Sequence, residues 1–311
     1  MRIVFFGTPA FAVPSLRALA DSDMDIVAAV TQPDRVKGRG HLLAAPPVKE
    51  FALQRGIPVL QPPKIRTAEF LSELTALRPD LMAVVAYGRI LPGPVLGLPR
   101  LGCVNVHGSL LPKYRGAAPI QWAIINGDDR TGITTMLMDE GLDTGDMLLR
   151  EETRISDEDT AESLGVRLSG IGASLLLKTI AGLKDGTIPP VPQTGEPSFA
   201  PPLKKEDGRI DWQWPSRRIF NLVRGTYPWP GAHCSLNGER IVVLRASVSA
   251  GAAAGSAGAG TITAAGGGMQ VMTGDGALTI IELKPEGKKA MRAADFVNGR
   301  RVRAGMRFDA L

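Results

Sequence analysis

The sequence contains few cysteine, histidine and aromatic residues, and each shortage argues against a class of protein. Its 311 residues include only two cysteines, Cys103 and Cys234, so a disulfide framework is excluded and a reducing compartment fits. The histidines, His41, His107 and His233, are spread along the chain, and together with the two cysteines they form no closed zinc-site spacing. Aromatic residues make up 5% of the chain, which disfavours a surface that stacks single-stranded bases.

Long apolar runs are also missing from the sequence. No stretch approaches the roughly 20 apolar residues that a membrane span requires. The apolar run in residues 1–7 is too short for a signal peptide and meets Gly7 rather than a cleavage site. We therefore expect a cytoplasmic protein with no membrane contact. Nothing in the sequence demands an oligomer, so a monomer is expected.

Short apolar runs that alternate with helical patterns dominate the first 188 residues. Continuous apolar runs, as in residues 3–6 and 81–86, are typical of buried parallel strands, and helical patterns lie between them. This alternation predicts an α/β fold with a mostly parallel, Rossmann-like sheet and right-handed crossovers. A long helix is predicted to follow Asp159, which we expect to cap it. The loop at residues 7–12 lacks the dinucleotide fingerprint and the P-loop pattern, which disfavours a dehydrogenase.

The chain after residue 188 has a different sequence pattern. Six prolines in residues 186–202 predict an interdomain linker, placed at 189–206. Short β-rich runs separated by turns then predict a smaller antiparallel β-barrel over residues 207–311. Residues 249–260 are all Ser, Ala or Gly and are predicted to form a surface loop. Residues 207–311 hold 14 Lys/Arg and 8 Asp/Glu. This positive excess favours a large anionic partner, with a merely well-solvated surface as the alternative.

Two polar side chains mark the end of a predicted strand at residues 102–106. Asn105 and His107 alternate along the chain, so their side chains share one face. The carboxyl ends of strands in an open α/β sheet are where ligands bind. An amide and an imidazole there can donate to a developing oxyanion and move a proton. The alternative is that both side chains only satisfy backbone groups of the following loop.

An acidic loop follows at residues 138–147, with Asp139, Glu140, Asp143 and Asp146 interrupted by glycines. A carboxylate from this loop near His107 would orient the imidazole ring. The cluster could equally bind a hard cation such as Mg²⁺, or form a solvated turn. The sequence pattern leaves these three interpretations open.

Three stretches together resemble the folate-dependent formyltransferase superfamily: residues 105–107 (Asn-Val-His), 109–116 (Ser-Leu-Leu-Pro-Lys-Tyr-Arg-Gly) and 138–146 (Met-Asp-Glu-Gly-Leu-Asp-Thr-Gly-Asp). Four further segments, at 31–40, 84–88, 209–212 and 285–291, extend the resemblance over essentially the whole chain. They point to the branch of the superfamily whose formyl acceptor is methionyl initiator tRNA.

The resemblance implies transfer of the formyl group of 10-formyltetrahydrofolate to the α-amino group of methionyl initiator tRNA, which supplies translation initiation. It implies direct attack by the amine through a tetrahedral intermediate, an OB-like form for the predicted barrel, and no metal. The implied catalytic residues are Asn105, His107 and Asp143. The implied folate contacts are Ser109, Leu110, Leu111 and Pro112, together with the backbone at Arg89, Ile90 and Leu91.

The basic loop at residues 34–47 is the expected contact with the acceptor end of tRNA. Arg39, between two glycines, is the principal candidate because a flexible tip can bring its guanidinium to a phosphate. Val36 and Lys37 depart from the pattern expected at this point of the loop. The full set of candidate phosphate contacts is Arg35, Lys37, Arg39, Lys204, Lys205, Lys288 and Lys289. Each of the lysines at 204, 205, 288 and 289, taken alone, is more typical of a solvated surface.

Two other functions fit part of the pattern. An amino-sugar nucleotide N-formyltransferase would share Asn105, His107 and Asp143, but the basic barrel and the Arg39 loop argue against it. An RNA-binding protein with an inactive α/β half would retain the basic regions, but the intact set of three polar residues argues against that. A test of formyl acceptors separates these functions.

Overall fold

The computed structural model describes residues 1–37, 42–249, 258–265 and 268–309, and the chain divides into two compact units. Unit 1 comprises Met1–Pro119, Arg130–Arg154 and Gly165–Pro201. Unit 2 comprises Ile120–Asp129, Ile155–Leu164 and Pro202–Leu311. Unit 2 therefore includes two short segments that come before its main part in the sequence. The predicted boundaries near residues 188 and 206 stay predictions, and residues 250–257 of the predicted Ser/Ala/Gly loop lie outside the described part of the chain.

Unit 1 is built on a large, mostly parallel sheet. The strands of this unit are β1 (Arg2–Gly7), β2 (Asp25–Val30), β3 (Arg35–Lys37), β4 (Leu42–Ala44), β5 (Val59–Leu60), β6 (Leu81–Val85), β7 (Cys103–His107), β8 (Arg130–Leu137) and β9 (Met147–Arg154). The order across the large sheet is β5-β2-β1-β6-β7-β8-β9. Neighbours from β5 to β7 pair in parallel, whereas β8 and β9 pair antiparallel. The predicted Rossmann-like fold of this half is confirmed.

Burial explains why the parallel strands read as unbroken apolar runs. In β1, Ile3, Val4, Phe5 and Phe6 have no exposed surface, and β6 is buried over its whole length. A strand covered on both faces has no solvent side on which to place polar residues. Because β1, β6 and β7 pair in parallel, their carboxyl ends lie together at one edge of the sheet, where polar residues begin.

The helices lie between these strands and in unit 2. They are α1 (Val13–Ala20), α2 (Pro47–Gln54), α3 (Ala68–Ala76), α4 (Gly93–Leu96), α5 (Pro119–Ile125), α6 (Ala161–Asp185), α7 (Ser216–Gly225) and α8 (Ala293–Arg300). Short 3₁₀ turns occur at Ala10–Ala12 and Glu206–Gly208. Thr67 is the N-cap of α3, and its hydroxyl accepts from the backbone N–H of Phe70.

Helix α6 is the long helix predicted to follow Asp159, but its cap is one residue further on. The Thr160 hydroxyl accepts from the Ser163 N–H at 3.2 Å, and the Ser163 hydroxyl accepts from the Thr160 N–H at 2.9 Å. This reciprocal pair satisfies two backbone donors that a helix start leaves free. Asp159 accepts instead from the Ser156 N–H at 2.8 Å. The predicted cap at Asp159 was therefore wrong.

Helix α6 also passes a length and composition test for a membrane span, with a mean hydropathy of 1.3 over its most apolar window. Half of that window is buried inside the fold. The core helix of a soluble protein passes the same test, so this helix is weak evidence for a membrane span.

Unit 2 is built on an antiparallel sheet curled into a half-barrel. Its strands are β10 (Ala232–Leu236), β11 (Glu239–Val248), β12 (Ile262–Ala265), β13 (Met269–Met272), β14 (Ala277–Pro285) and β15 (Met291–Arg292). The order is β10-β11-β14-β13-β12, with β15 beside β14. Trp212 stacks on Phe308 with ring centroids 5.0 Å apart, inside a core that the strands and α7 share. The predicted fold class, in which a smaller antiparallel β region follows the α/β region, is confirmed.

Both cysteines are free thiols and both are buried. Burial raises the pKa of the Cys103 thiol to about 12, and burial also raises the pKa of the Cys234 thiol. Because the thiolate is the reactive form, we expect neither cysteine to react with a thiol reagent at pH 8 while the protein is folded. Both should react promptly in guanidinium chloride. Counting labelled thiols by mass spectrometry tests this, and fast labelling of the native protein would contradict it.

Candidate active site at the end of strand β7

Strand β7 carries the two polar side chains that the sequence singled out, at the edge where the parallel strands end. It pairs in parallel with β6 and antiparallel with β8. His107, its last residue, is 5% exposed, and Asn105 is partly exposed. A histidine buried at the carboxyl end of a strand in an open α/β sheet lies where ligands bind in such folds.

Asp143 brings the acidic loop to these two residues. Its Oδ1 accepts from Asn105 Nδ2 at 3.4 Å, and its Oδ2 lies 3.6 Å from His107 Nδ1. The same Oδ2 accepts from the backbone N–H of Gly116 at 2.8 Å. The Asp143 side chain is 13% exposed. One carboxylate thus contacts both polar residues of β7 and the loop that follows them.

His107 has a second partner that sequence reasoning missed. Its Nε2 lies 2.9 Å from the backbone oxygen of Tyr114. A carbonyl oxygen only accepts, so the Nε2 hydrogen is assigned by this contact. Tyr114 has a φ of 60°, the left-handed region that non-glycine residues rarely adopt. No sequence pattern marks a main-chain acceptor of this kind, and only the turn-forming residues around Tyr114 hint at unusual backbone.

Asp139, another acidic residue of the loop, has partners of its own within the loop. Asp139 accepts from the Thr144 hydroxyl at 2.7 Å and from the Gly141 N–H at 3.0 Å. Among the residues that the structure describes, no group of three metal-ligating side chains comes together. The loop is ordered by its own hydrogen bonds, and Asp143 alone faces His107.

The residues predicted to contact folate lie in two places. Ile90 and Leu91 line a cavity of about 440 Å³, together with Arg66, Leu71 and Glu140 among others. Ile90 is 58% exposed, while Leu91 is buried. Mostly apolar walls with a few charged groups are typical of a pocket for a small ligand. Arg89 points elsewhere, since its guanidinium donates to the backbone oxygens of residues 62 and 63 at 3.2 and 3.0 Å.

The second predicted folate segment, residues 109–112, contacts strand β8. Ser109 is buried, and its hydroxyl donates to the Lys113 carbonyl. Leu111 is fully buried, and its N–H donates to the Thr134 hydroxyl at 3.1 Å. Leu110 and Pro112 are partly exposed. Ser109 and Leu111 therefore have structural partners inside unit 1, and Leu110 and Pro112 present the accessible surface of the segment.

The residues predicted to contact tRNA are on the surface where the structure describes them. Arg35, Lys204, Lys205, Lys288 and Lys289 are exposed. Arg39 lies outside the described residues, as does the side chain of Lys37. The strands β3 and β4 pair antiparallel on either side of residues 38–41.

A polar network fixes the start of this loop. Lys49 Nζ lies 2.8 Å from Asp34 Oδ2 and Gln61 Nε2 donates to Asp34 Oδ1, and these hydrogen bonds hold the pKa of the Asp34 carboxyl below its usual value. Gln32 accepts from Arg35 at 2.5 Å and donates to the Tyr87 carbonyl at 2.9 Å. The root of the predicted tRNA loop is thus anchored to the turn that precedes residues 89–91.

Comparison with known families gives a match over most of the chain. Residues 1–180 match the family described as "Formyl transferase", and residues 202–301 match the family described as "Formyl transferase, C-terminal domain". The first match covers the sheet of unit 1, and the second covers the half-barrel of unit 2. The cluster of Asn105, His107 and Asp143 lies within the first of them.

Curated relatives match over nearly the full length. The chain is 52% identical over 304 residues to a methionyl-tRNA formyltransferase of Thermodesulfovibrio yellowstonii, covering 98% of this chain and 97% of that protein. It is also 52% identical over 306 residues to a methionyl-tRNA formyltransferase of Trichlorobacter lovleyi, covering 98% and 96%.

Solved structures share the fold at low sequence identity. A methionyl-tRNA formyltransferase from Clostridium thermocellum matches with a TM-score of 0.58 at 20% identity, covering 81% of this chain and 95% of that one. The sugar 3N-formyl transferase WlaRD matches with a TM-score of 0.68 at 18% identity, covering 93% and 99%. HypX from Aquifex aeolicus, in complex with tetrahydrofolic acid, matches at 0.62 and 19%, covering 96% of this chain, which spans about half of HypX.

Proposed function

The chain belongs to the formyltransferase family, and from this premise we propose that it transfers the formyl group of 10-formyltetrahydrofolate to the α-amino group of methionyl initiator tRNA. The observation that carries the proposal is the cluster of Asn105, His107 and Asp143 at the end of β7. The full-length likeness to methionyl-tRNA formyltransferases supports the choice of acceptor.

The chemistry assigned to the cluster is stabilisation of negative charge and movement of a proton. The neutral amine attacks the formyl carbon, the new C–N bond forms, and the carbonyl electron pair moves to oxygen. Asn105 donates an N–H to that oxygen. When the C–N bond to the folate nitrogen breaks, a proton must pass from the incoming amine to that nitrogen, and His107 relays it.

Asp143 keeps the two donors in place during this reaction. Its carboxylate accepts from Asn105 through Oδ1, and its Oδ2 lies 3.6 Å from His107 Nδ1, where it can accept once the imidazole takes up a proton at that nitrogen. It also stabilises positive charge on the imidazole when His107 holds a proton. No nucleophilic side chain takes part, and the mechanism needs no covalent enzyme intermediate.

The folate co-substrate supplies the formyl group when it is bound. The cavity beside Ile90 and Leu91 has the size and the apolar walls that suit a flat heterocycle, with Arg66 and Glu140 as its charged groups. Leu110 and Pro112 are the accessible members of the second predicted segment. Ser109 and Leu111 act by holding that segment against β8.

The tRNA contacts are assigned to the loop at residues 34–47 and to the exposed cations of unit 2. Arg39 is the principal contact, with Arg35 and Lys37 beside it. Lys204, Lys205, Lys288 and Lys289 are exposed, so a phosphate can reach them from solvent. Phosphate contacts position a nucleic acid without reading its sequence.

The acceptor decides between this function and amino-sugar nucleotide formylation. The purified chain and radiolabelled 10-formyltetrahydrofolate are incubated either with methionyl initiator tRNA or with an amino-sugar nucleotide. We expect label to enter the tRNA alone. Label in the sugar nucleotide would replace the proposed acceptor, and label in neither would reject formyl transfer to these acceptors.

Salt should separate tRNA binding from folate binding. Each phosphate that a lysine or arginine neutralises releases counterions, so the affinity for initiator tRNA should fall steeply with salt concentration. Folate binding to the apolar cavity should change little over the same range. Filter binding and fluorescence titration between about 50 and 200 mM salt measure the two affinities. A flat response for tRNA would contradict the assignment of the cations.

The loop contact is tested by replacing Arg39 with alanine. We expect the tRNA KM to rise or kcat/KM for tRNA to fall, with folate affinity unchanged, because a single phosphate contact is lost. Lys178→Ala, which removes an exposed cation from α6, is the matched control and should leave both affinities unchanged. If folate affinity falls as much as tRNA affinity in Arg39→Ala, the loop belongs to the folate site.

The proposed setting follows from the acceptor. A protein that formylates initiator tRNA for translation works in the cytoplasm, and we place this chain there as a monomer. The domain organisation we propose is a catalytic domain at residues 1–188, a linker at 189–206 and a tRNA-binding OB-like half-barrel at 207–311. Sedimentation of the purified chain with and without tRNA tests the monomer.

A further inference from the structure

We propose that Gln193 is a positioning residue that sets the Asp143 carboxylate against His107. Gln193 lies in the proline-rich segment after α6, where the sequence shows no sign of catalytic function. In the structure this segment belongs to unit 1 up to Pro201. The inference rests on the proposed formyl transfer, since it assigns Gln193 a part in that reaction.

The carboxamide of Gln193 connects two parts of the site. Its Oε1 accepts from Arg115 Nε at 3.1 Å and from Arg115 Nη2 at 2.7 Å. Its Nε2 donates to the backbone oxygens of Asp143 and Gly145, at 2.8 Å each. A primary amide has two N–H donors and two acceptor lone pairs, and all four are used here.

The backbone of Asp143 needs such support. Its φ is 53°, in the left-handed region, which costs free energy for a residue with a side chain. Two residues on, Gly145 passes so close to β8 that a Cβ there would collide with the Leu137 carbonyl. The loop is therefore pressed against the sheet on one side, and Gln193 holds its carbonyls on the other.

The same segment also holds the other acceptor that faces His107. The Ser198 hydroxyl accepts from the Tyr114 N–H at 2.9 Å, and the Arg115 N–H donates to the Ser198 carbonyl at 2.8 Å. Tyr114 supplies the carbonyl that accepts from His107 Nε2. Residues 193–198 thus hold the two groups that face the imidazole ring, the Asp143 carboxylate at Nδ1 and the Tyr114 carbonyl at Nε2.

Only an amide performs this function at position 193. A glutamate has the same shape and would still accept from Arg115, more strongly because it is charged. It has no N–H to offer, so its second oxygen would face the carbonyl oxygens of Asp143 and Gly145. Gln193→Glu thus preserves volume and the Arg115 contact while removing both contacts to the loop.

Steady-state kinetics of Gln193→Glu and Gln193→Ala provide the first test. We expect kcat to fall about 30- to 100-fold, since displacing a catalytic group by 1 Å can cost about 100-fold, while KM for each substrate changes less than about threefold. Thr194→Ala, an exposed neighbour on the same segment, is the control and should match the wild type. A kcat within twofold of wild type for Gln193→Glu would overturn the proposal.

A double-mutant cycle distinguishes positioning of Asp143 from a general structural effect. In an Asp143→Ala background the carboxylate that Gln193 positions is gone, so Gln193→Ala should lower kcat by no more than about twofold further. A drop as large as in the wild-type background would mean that Gln193 acts through another group, which contradicts the proposal. Thermal unfolding of each variant identifies losses that arise from unfolding.

Hydrogen exchange tests the same inference without any activity. The Gly116 N–H donates to Asp143 Oδ2 at 2.8 Å, so its protection reports where the carboxylate lies. We expect Gln193→Glu to exchange at least tenfold faster than wild type at Gly116, with unchanged protection in β1 and β6. Equal protection at Gly116 would overturn the positioning role. If the wild type formylates no acceptor but exchange responds as expected, the proposed function fails and the positioning of Asp143 stands.

Discussion

Replacing His107 with alanine is expected to lower kcat for formyl transfer by about 1,000-fold, within the range of 10² to 10⁴ that general acid–base catalysis contributes. The reason is geometric, because His107 is the group at the end of β7 that can move a proton and it lies 3.6 Å from Asp143. Single-turnover assays with methionyl initiator tRNA measure the loss apart from substrate binding. Folate affinity should stay near its wild-type value, and the variant should remain folded with a lower unfolding midpoint, because the buried Tyr114 carbonyl loses its donor.

A matched control distinguishes loss of this imidazole from loss of any histidine. His233 is a partly buried histidine of unit 2, whose Nδ1 contacts the Gly231 carbonyl at 3.1 Å. His233→Ala should retain wild-type kcat, because that ring has no part in the proposed chemistry. Wild-type kcat in His107→Ala would remove His107 from the mechanism, whatever the result at position 233.

The sequence predicts elements well where burial alone decides the residue type. Strands β1 and β6 are buried on both faces, so they read as unbroken apolar runs and were predicted. Strand β9 alternates partly buried and exposed positions from Leu149 onward and carries charged residues, and it was not predicted. Helix α7 was missed as well, although Ile219, Leu222 and Val223 have the i, i+3, i+4 spacing of a helix face.

The candidate site likewise contains some groups that the sequence predicts and others that it does not. Asn105, His107 and Asp143 carry side chains whose chemistry is visible in the sequence, and the structure brings all three together. The carbonyl of Tyr114 and the carboxamide of Gln193 carry no such signal. A main-chain oxygen is present at every residue, and its direction depends on backbone angles that tertiary contacts impose. Gln193 lies in a proline-rich stretch whose composition predicts a linker.

Replacing Arg224 with alanine is expected to destabilise unit 2 by about 2–6 kcal/mol, because two buried acceptors lose their donor. Arg224 is 8% exposed, and burial lowers the pKa of its guanidinium. Its Nη1 donates to the Ser156 and Asp159 carbonyls at 2.7 and 3.0 Å, and its Nη2 donates to Asn221 Oδ1 at 2.7 Å. The alanine variant leaves the Asp159 carbonyl and Asn221 Oδ1 buried without their donor, whereas water can reach the exposed Ser156 carbonyl, and each buried unsatisfied group costs about 1–3 kcal/mol.

Arg218→Ala is the matched control, because it removes the same side chain from an exposed position of the same helix. Arg218 lies over the Trp214 ring at 3.9 Å, a contact worth about 0.5–1 kcal/mol at an exposed site. Urea titration monitored by tryptophan fluorescence measures both variants, since Trp212 and Trp214 belong to unit 2. The expected order is a large loss for Arg224→Ala and a small one for Arg218→Ala. Equal losses would mean that the three acceptors find other donors once the guanidinium is gone, so that Arg224 does not hold residues 155–164 to α7.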